Sequence, residues 1–195
     1  MTSFFGQFVM RTGEAGRAFE PHPTVVDALA RGLSVERYRS LPLKIYHVVW
    51  HFNPVSVAAA SRLDDALREV RYDLFAHMHE ELRHEQWLLA DLDAVGVPRA
   101  KVLAHAPSAY TPALVCYNYW AADRRHLASV LGTLHVLEVI ASVYGGAFAS
   151  AVQESPPLDG QRGVSFIALH ASLDAEHMAT LRDVLDDLHA PAAKC

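Results

Sequence analysis

Apolar residues recur at three- and four-residue spacing along almost the whole chain, which places them on one side of successive α-helices. Thr24 can cap a short helix that runs through Arg31, where Gly32 stops it. Ser34 can cap a second, carrying Tyr38, Leu41, Ile45, Val48, Val49 and Phe52. Pro42 should bend that helix and Asn53-Pro54 should end or kink it, because proline lacks an N–H and crowds the turn before it. A long helix follows from Asp64 to Val95, closed by Gly96 and Pro98. After a loop containing Pro107, Pro112 opens a helix through Asp123, and the next spans Arg125 to Ser150, loosened by Gly145-Gly146. Pro156, Pro157, Gly160 and Gly163 make Glu154 to Gly163 a loop, and a final helix covers Val164 to His189. Residues 1–22 read as irregular and Ala190 to Cys195 as a frayed end. No strand, repeat or low-complexity tract stands out. The expectation is an all-α bundle of about six or seven helices, one domain over residues 1–195.

Three of these helices carry ionisable side chains where the pattern calls for hydrocarbon. His170, Asp174 and His177 stand at i, i+4 and i+7, within roughly 60° of one another on a helix. Phe166, Ile167, Leu173, Leu181, Val184, Leu185 and Leu188 share their face, so the three sit inside the apolar stripe. On the long helix, Val70, Leu74, Leu88, Leu92 and Val95 fall within about 40° of Glu81, with His84 and His77 at the stripe's edge. Glu80 points about 100° away and Glu85 lies near the stripe, so Glu81 is the preferred candidate and the other two compete with it. Glu138 lines up with Leu127, Leu131, Leu134, Gly145 and Ala149.

Buried polar groups need partners, and a metal ion satisfies imidazoles and carboxylates together. Glu81, His84, Glu138, His170, Asp174 and His177 are therefore the candidate ligands, a donor set that suits iron or manganese. Glu138, alone on its helix, is the natural bridge between two ions. Carboxylate-bridged di-iron sites in bundles use Glu-x2-His pairs on facing helices. Here one such pair, Glu81-x2-His84, meets an Asp174-x2-His177 pair with His170 one turn earlier, which departs from the ferritin pattern.

Composition narrows the reading. A net charge of −5 with 17 basic residues gives no electrostatic case for nucleic acid. Cys116 and Cys195 make no disulfide framework, and no leader-like segment opens the chain, so a cytoplasmic location is expected. The apolar stretch Val130 to Val143 is interrupted by His135 and Glu138, so no membrane span is expected. The 12 histidines are the anomaly, since imidazole is the commonest metal ligand.

The combination of Glu81-x2-His84, Glu138 in Leu134-His135-Val136-Leu137-Glu138, and His170-x3-Asp174-x2-His177 resembles the haem-oxygenase-like di-iron oxidases, in order and rough separation. So does the segment His79-Glu80-Glu81-Leu82-Arg83-His84-Glu85-Gln86-Trp87, and the resemblance spans roughly residues 35–190. It implies a seven-helix haem-oxygenase-like fold, two Fe(II) ions and O2 as co-substrate. It implies a small substrate, amino-acid- or fatty-acid-like, undergoing N-oxygenation or oxidative C–C cleavage. By the same resemblance Glu81, His84 and Glu138 would hold one iron, and His170, Asp174 and His177 the second. Bundles of this class often dimerise, so a homodimer is a further expectation.

Plainer readings stand beside these. His170, Asp174 and His177 could form a buried His–Asp hydrogen-bond pair with a spectator. His77, Glu80, Glu85 and His135 are expected beside the ligands, orienting them or standing in for one. Tyr46, His47 and His51 are read as substrate contacts or packing. His22, His105, His126 and His189 are read as solvated. A haem-degrading oxygenase on the same fold would need a proximal imidazole, and His22, between Pro21 and Pro23, is poorly placed for it. A metal-free, thiaminase-like hydrolase or cofactor-free oxidase would look to a nucleophile such as Cys116, which nothing nearby activates. A non-catalytic iron-binding module is the remaining alternative.

Overall fold

The computed structural model describes residues 3–153 and 162–189, without the side chains of 153, 173–176 and 187–189. The expected loop from Glu154 lies outside the described residues up to position 161, and the expected frayed end at Ala190 to Cys195 lies outside them entirely. Helices α1 (Phe4–Phe19), α2 (Pro23–Arg31) and α3 (Val35–Tyr38) lead into α4 (Ser40–Ala60). A 3-10 turn at Asp65–Leu67 opens α5 (Arg68–Glu80), followed by α6 (His84–Ala94), α7 (Arg99–Ala104), α8 (Tyr110–Arg124), α9 (Ala128–Ala151) and α10 (Ser165–His189). The helices longer than ten residues are α1, α4, α5, α6, α8, α9 and α10, in keeping with the bundle the periodicity predicts.

The structure corrects the expected elements in several places; Arg99–Ala104, in the expected loop, is a helix, and the helix expected from Ser34 is split at Arg39. The expected irregular segment at 1–22 holds a helix over Phe4–Phe19: Ser3 caps α1 by accepting from the Gly6 N–H, and Asp186 of α10 accepts from the Phe5 N–H at 2.8 Å. Phe4, Phe5 and Phe8 then pack on the core, although no residue of α1 is fully buried. Asn53-Pro54 does not end α4, which continues to Ala60, because Val55, Ser56, Ala59 and Ala60 beyond it are buried and packing outweighs the lost hydrogen bond. The expected single helix from Asp64 to Val95 is two, broken at Glu81–Arg83, with Arg83 in the left-handed region at φ 72°. Glu-Leu-Arg are all good helix formers, so nothing in their propensities marks the break. Finally, a short parallel pair joins β1 (Leu33–Ser34) to β2 (Val152–Gln153), tying the start of α3 to the end of α9.

The core consists of two apolar clusters. One gathers Val55 and Ala59 of α4, Val70 and Leu74 of α5, Leu131 and Leu134 of α9, and Leu181, Val184 and Leu185 of α10. The other gathers Tyr38, Tyr46, Leu88, Leu92, Val102, Phe166 and Ile167. Along the chain the ionisable residues fall between them: Glu81 and His84 between Leu74 and Leu88, His170 and His177 between Ile167 and Leu181. A polar layer thus separates two bodies of hydrocarbon.

The most extensive helix contact is α9 against α10. It depends on Gly145, where an added Cβ would lie 3.0 Å from the Ile167 carbonyl oxygen and 3.3 Å from Ala171 Cβ. By length and composition α9 is apolar enough to cross a bilayer, unlike the sequence expectation, because Glu138 is its only charged residue. In the fold it is a bundle helix, with α2, α8 and α10 against it. Replacing Gly145 by Val should force α9 and α10 apart and destabilise by about 1–3 kcal/mol, a fall of roughly 2–4 °C per kcal/mol in a thermal melt.

Candidate metal centre

The break between α5 and α6 builds the centre. The Glu81 N–H still bonds the His77 carbonyl at 3.0 Å, so Glu81 keeps the register of α5, and Arg83 then turns the chain so that α6 starts at His84. A non-glycine residue at positive φ costs roughly 1–2 kcal/mol, and such strain concentrates at functional sites. Glu81 and His84 are both buried, at 9% and 4% exposure. Glu81 Oε2 lies 2.6 Å from His84 Nδ1 and 3.7 Å from His170 Nε2, while Oε1 lies 4.0 Å from His177 Nδ1.

Two groups of donors result. His77, Glu81, Glu138 and His177 form one; Glu81, His84 and His170 form the other; in each, one donor atom per residue lies within 4.8 Å of all the rest. Glu81 belongs to both. His170 Nδ1 lies 2.9 Å from the Phe166 carbonyl oxygen, which only accepts, so Nδ1 carries a proton and Nε2 is the atom that faces Glu81 and His84. His177 stands between two carboxylates, Nδ1 3.3 Å from Glu138 Oε2 and Nε2 3.1 Å from the exposed Glu80 Oε2. Among the described residues His77 Nε2 is buried without a hydrogen-bond partner, the Glu138 carboxylate oxygen beside it being 3.7 Å away. An orphaned imidazole nitrogen facing carboxylates is what a cation would satisfy.

The electrostatics agree. Burial alone would push the Glu81 carboxyl up, but the His170 and His84 rings facing it outweigh this and hold it well below the ordinary carboxylate range. Burial pushes His77 down, against the opposing pull of Glu138. An ionised carboxylate and a neutral imidazole are the forms that ligate a metal.

The structure brings together Glu81, His84, Glu138, His170 and His177. The side chain of Asp174 lies outside the described residues. The grouping differs from the expected one: Glu81 rather than Glu138 is shared, and Glu138 sits with His177 and His77 rather than with His84. His77 stands in the donor group itself, one helical turn before Glu81. Glu80 flanks His177, as an orienting residue would. Glu85 does not join; its carboxylate accepts from Gln86 Nε2. His135 is also apart, enclosed by Phe5 and Phe8 with Thr12 Oγ1 3.5 Å from Nε2. It sits three residues before Glu138, about 60° off its face.

The cavity that reaches the centre is lined by His77, Glu138 and His177, by Leu74, Leu131, Leu134, Leu181 and Val184, and by Asp73 and Thr180. Tyr46, His47 and His51 do not line it, though His51 lines a second cavity with Phe52, Val55, Asn118 and Leu134. Tyr46 packs in the second core cluster, His47 Nε2 lies 3.1 Å from His105 Nδ1, and His51 Nδ1 lies 3.1 Å from the Tyr119 hydroxyl. His105 is therefore paired rather than merely solvated, its partner supplied by a distant helix. His22 is exposed, and its Nδ1 accepts from the Thr24 N–H to cap α2. Cys116 is an exposed free thiol. Sequence reasoning passed over one further buried carboxylate, Asp91, at 2% exposure; its position seven residues after His84 was the available signal.

Comparison with known proteins agrees with this architecture. A solved domain of unknown function from Shewanella denitrificans, described as having a haem oxygenase-like fold, superposes with a TM-score of 0.77 at 21% identity, covering 97% of this chain and 79% of that one. The fold is haem-oxygenase-like. Residues 41–194 match the model of the iron-containing redox enzymes, and the chain belongs to that family. No curated protein matches it in sequence. The donors that meet here among the described residues, imidazoles and carboxylates, fit iron.

His77 and His135 are both held below the ordinary imidazole value of 6.5 by burial. The unfolded chain therefore takes up these protons first, and stability is lost as pH falls below 6.5 toward the folded-state values. Metal-free protein should melt at progressively lower temperature between about pH 7 and about pH 5, and His135→Leu, outside the donor groups, should flatten part of that slope.

Proposed function

We propose that the protein is a non-haem di-iron oxidase or oxygenase that uses O2 to oxidise a small molecule. The observation that carries this reading is Glu81, a single buried carboxylate common to two adjoining donor groups. When bound, ferrous iron would supply the electrons for reducing O2. The chain's own residues do the rest. Glu81 presents one oxygen toward each group. His84 and His170 complete one, and His77, Glu138 and His177 complete the other. Manganese satisfies the same donors, and the family favours iron. In this reading Asp174, one turn after His170, adds a further carboxylate.

The cavity supports a small substrate with an apolar part. Its leucine and valine walls present hydrocarbon to a bound molecule and would limit water at the reacting atoms. His177, His77 and Glu138 line it, so a molecule held there lies against the donors. The resemblance stated above makes the substrate amino-acid- or fatty-acid-like, with N-oxygenation or C–C cleavage as the outcome.

Anaerobic loading with Fe(II) should leave about two irons per chain, measured by elemental analysis after desalting. Glu81→Gln should remove more iron than Glu138→Gln, because it depletes both groups. Loaded protein should consume O2 in an electrode cell. Iron indistinguishable from background after loading would end the reading.

A further inference from the structure

We propose that Asp91 is a positioning residue for the centre, acting through Phe166 to fix the orientation and tautomer of His170. The consequence for metal binding rests on the reading above. The positioning itself stands on the geometry of the protein alone.

Asp91 follows His84 by seven residues on α6, two turns on, so both leave the same face of the helix. It is buried to 2% exposure. Its Oδ1 accepts from the Gly163 N–H at 3.0 Å and the Ser165 hydroxyl at 2.8 Å, and its Oδ2 accepts from the Phe166 N–H at 2.8 Å. The first N–H groups of a helix have no acceptor within it, and a carboxylate there also meets the positive end of the helix dipole. Such a cap ordinarily comes from the residue just ahead of the helix. Here it comes from another helix, 72 to 75 residues earlier in the chain. A local cap would start α10 equally well, but it would leave the height and rotation of α10 against α6 to packing alone. The Asp91 cap ties the two helices at a fixed register.

Phe166 carries that register to the centre. Its N–H donates to Asp91, its carbonyl accepts from His170 Nδ1 at 2.9 Å, and its ring lies against the imidazole with centroids 4.0 Å apart. Held by Asp91 on one side, this residue locks the Nδ1–H tautomer on the other. Nε2 then faces the centre, 3.2 Å from His84 Nδ1 and 3.7 Å from Glu81 Oε2. One face of α6 therefore supplies both His84 and the carboxylate that sets where His170 stands opposite it.

Asp91→Asn keeps the shape but removes the charge and leaves one acceptor oxygen for the Gly163 and Phe166 N–H groups that Asp91 meets with two. In metal-free protein, nitrogen-15 histidine NMR should show His170 as the Nδ1–H tautomer in the wild type and a mixture in Asp91→Asn. Ser165→Ala, which spares the Phe166 link, should leave the tautomer unchanged. At limiting Fe(II), Asp91→Asn should bind close to one iron rather than two, with affinity for the weakened ion down roughly 10–100-fold. The donor group of His77, Glu81, Glu138 and His177 should keep its ion. An unaltered tautomer in Asp91→Asn would overturn the proposal, as would equal loss of both ions alongside a general fall in melting temperature. Should Asp91→Asn fail to fold, Asp91→Glu keeps the charged cap but shifts its height, and an unchanged His170 tautomer there would equally overturn it. If the wild type binds no iron, the metal reading falls while the NMR comparison still decides the role of Asp91.

Discussion

A carboxylate buried between two bodies of hydrocarbon must be matched by donors or cations, and this requirement organises the middle of the molecule. The protein meets it in two chemically different ways. Asp91 faces backbone N–H groups and a hydroxyl, which are fixed donors already oriented by the start of α10. Glu81 and Glu138 face imidazoles, whose nitrogens can donate a proton or offer a lone pair. The first arrangement is complete as it stands. The second leaves His77 Nε2 without a hydrogen-bond partner among the described residues and gathers donor atoms within 4.8 Å of one another. The same residue type thus serves as a structural clasp in one place and as a potential ligand in the other, and the neighbours decide which.

Much of this was legible in the amino-acid pattern. Helical spacing is rigid, so a polar residue inside an apolar stripe must point inward, and Glu81, His84, Glu138, His170 and His177 all do. The alignment of Glu81 with Val70 and Leu74 survives because Glu81 still belongs to the α5 register. Its alignment with Leu88 and Leu92 assumed a continuous helix, and Arg83 removes that assumption. The grouping of the donors was less legible, for a related reason. Periodicity reports which face a side chain occupies, not which of two neighbouring helices it reaches across to. Tertiary partners were invisible for the same cause: His47 with His105, Phe5 with Asp186, and Asp91 with Phe166 join positions that no local pattern connects. The N-terminal helix was missed because Gly6, Gly13 and Gly16 lower its propensity, and its phenylalanines bind to a surface formed by the rest of the chain.

The family match and the structural likeness divide the chain instructively. Residues 41–194 contain α4 through α10 and every donor discussed here, whereas the superposition extends over nearly the whole chain at 21% identity. The backbone arrangement therefore reaches further than the sequence signature does. What the signature captures is the portion that must place imidazoles and carboxylates accurately.

The attachment of α1 has a consequence of its own. Partly buried phenylalanine rings, the Phe5 N–H bond to Asp186, Thr12 against His135 and the Tyr144–Glu20 contact help to hold it, and it has no fully buried residue. Sub-global opening draws on elements with little enclosed apolar area. The amides of α1 should accordingly exchange with solvent well before those of α9 and α10, so that peeling back this cover is a separate event from melting the bundle beneath it.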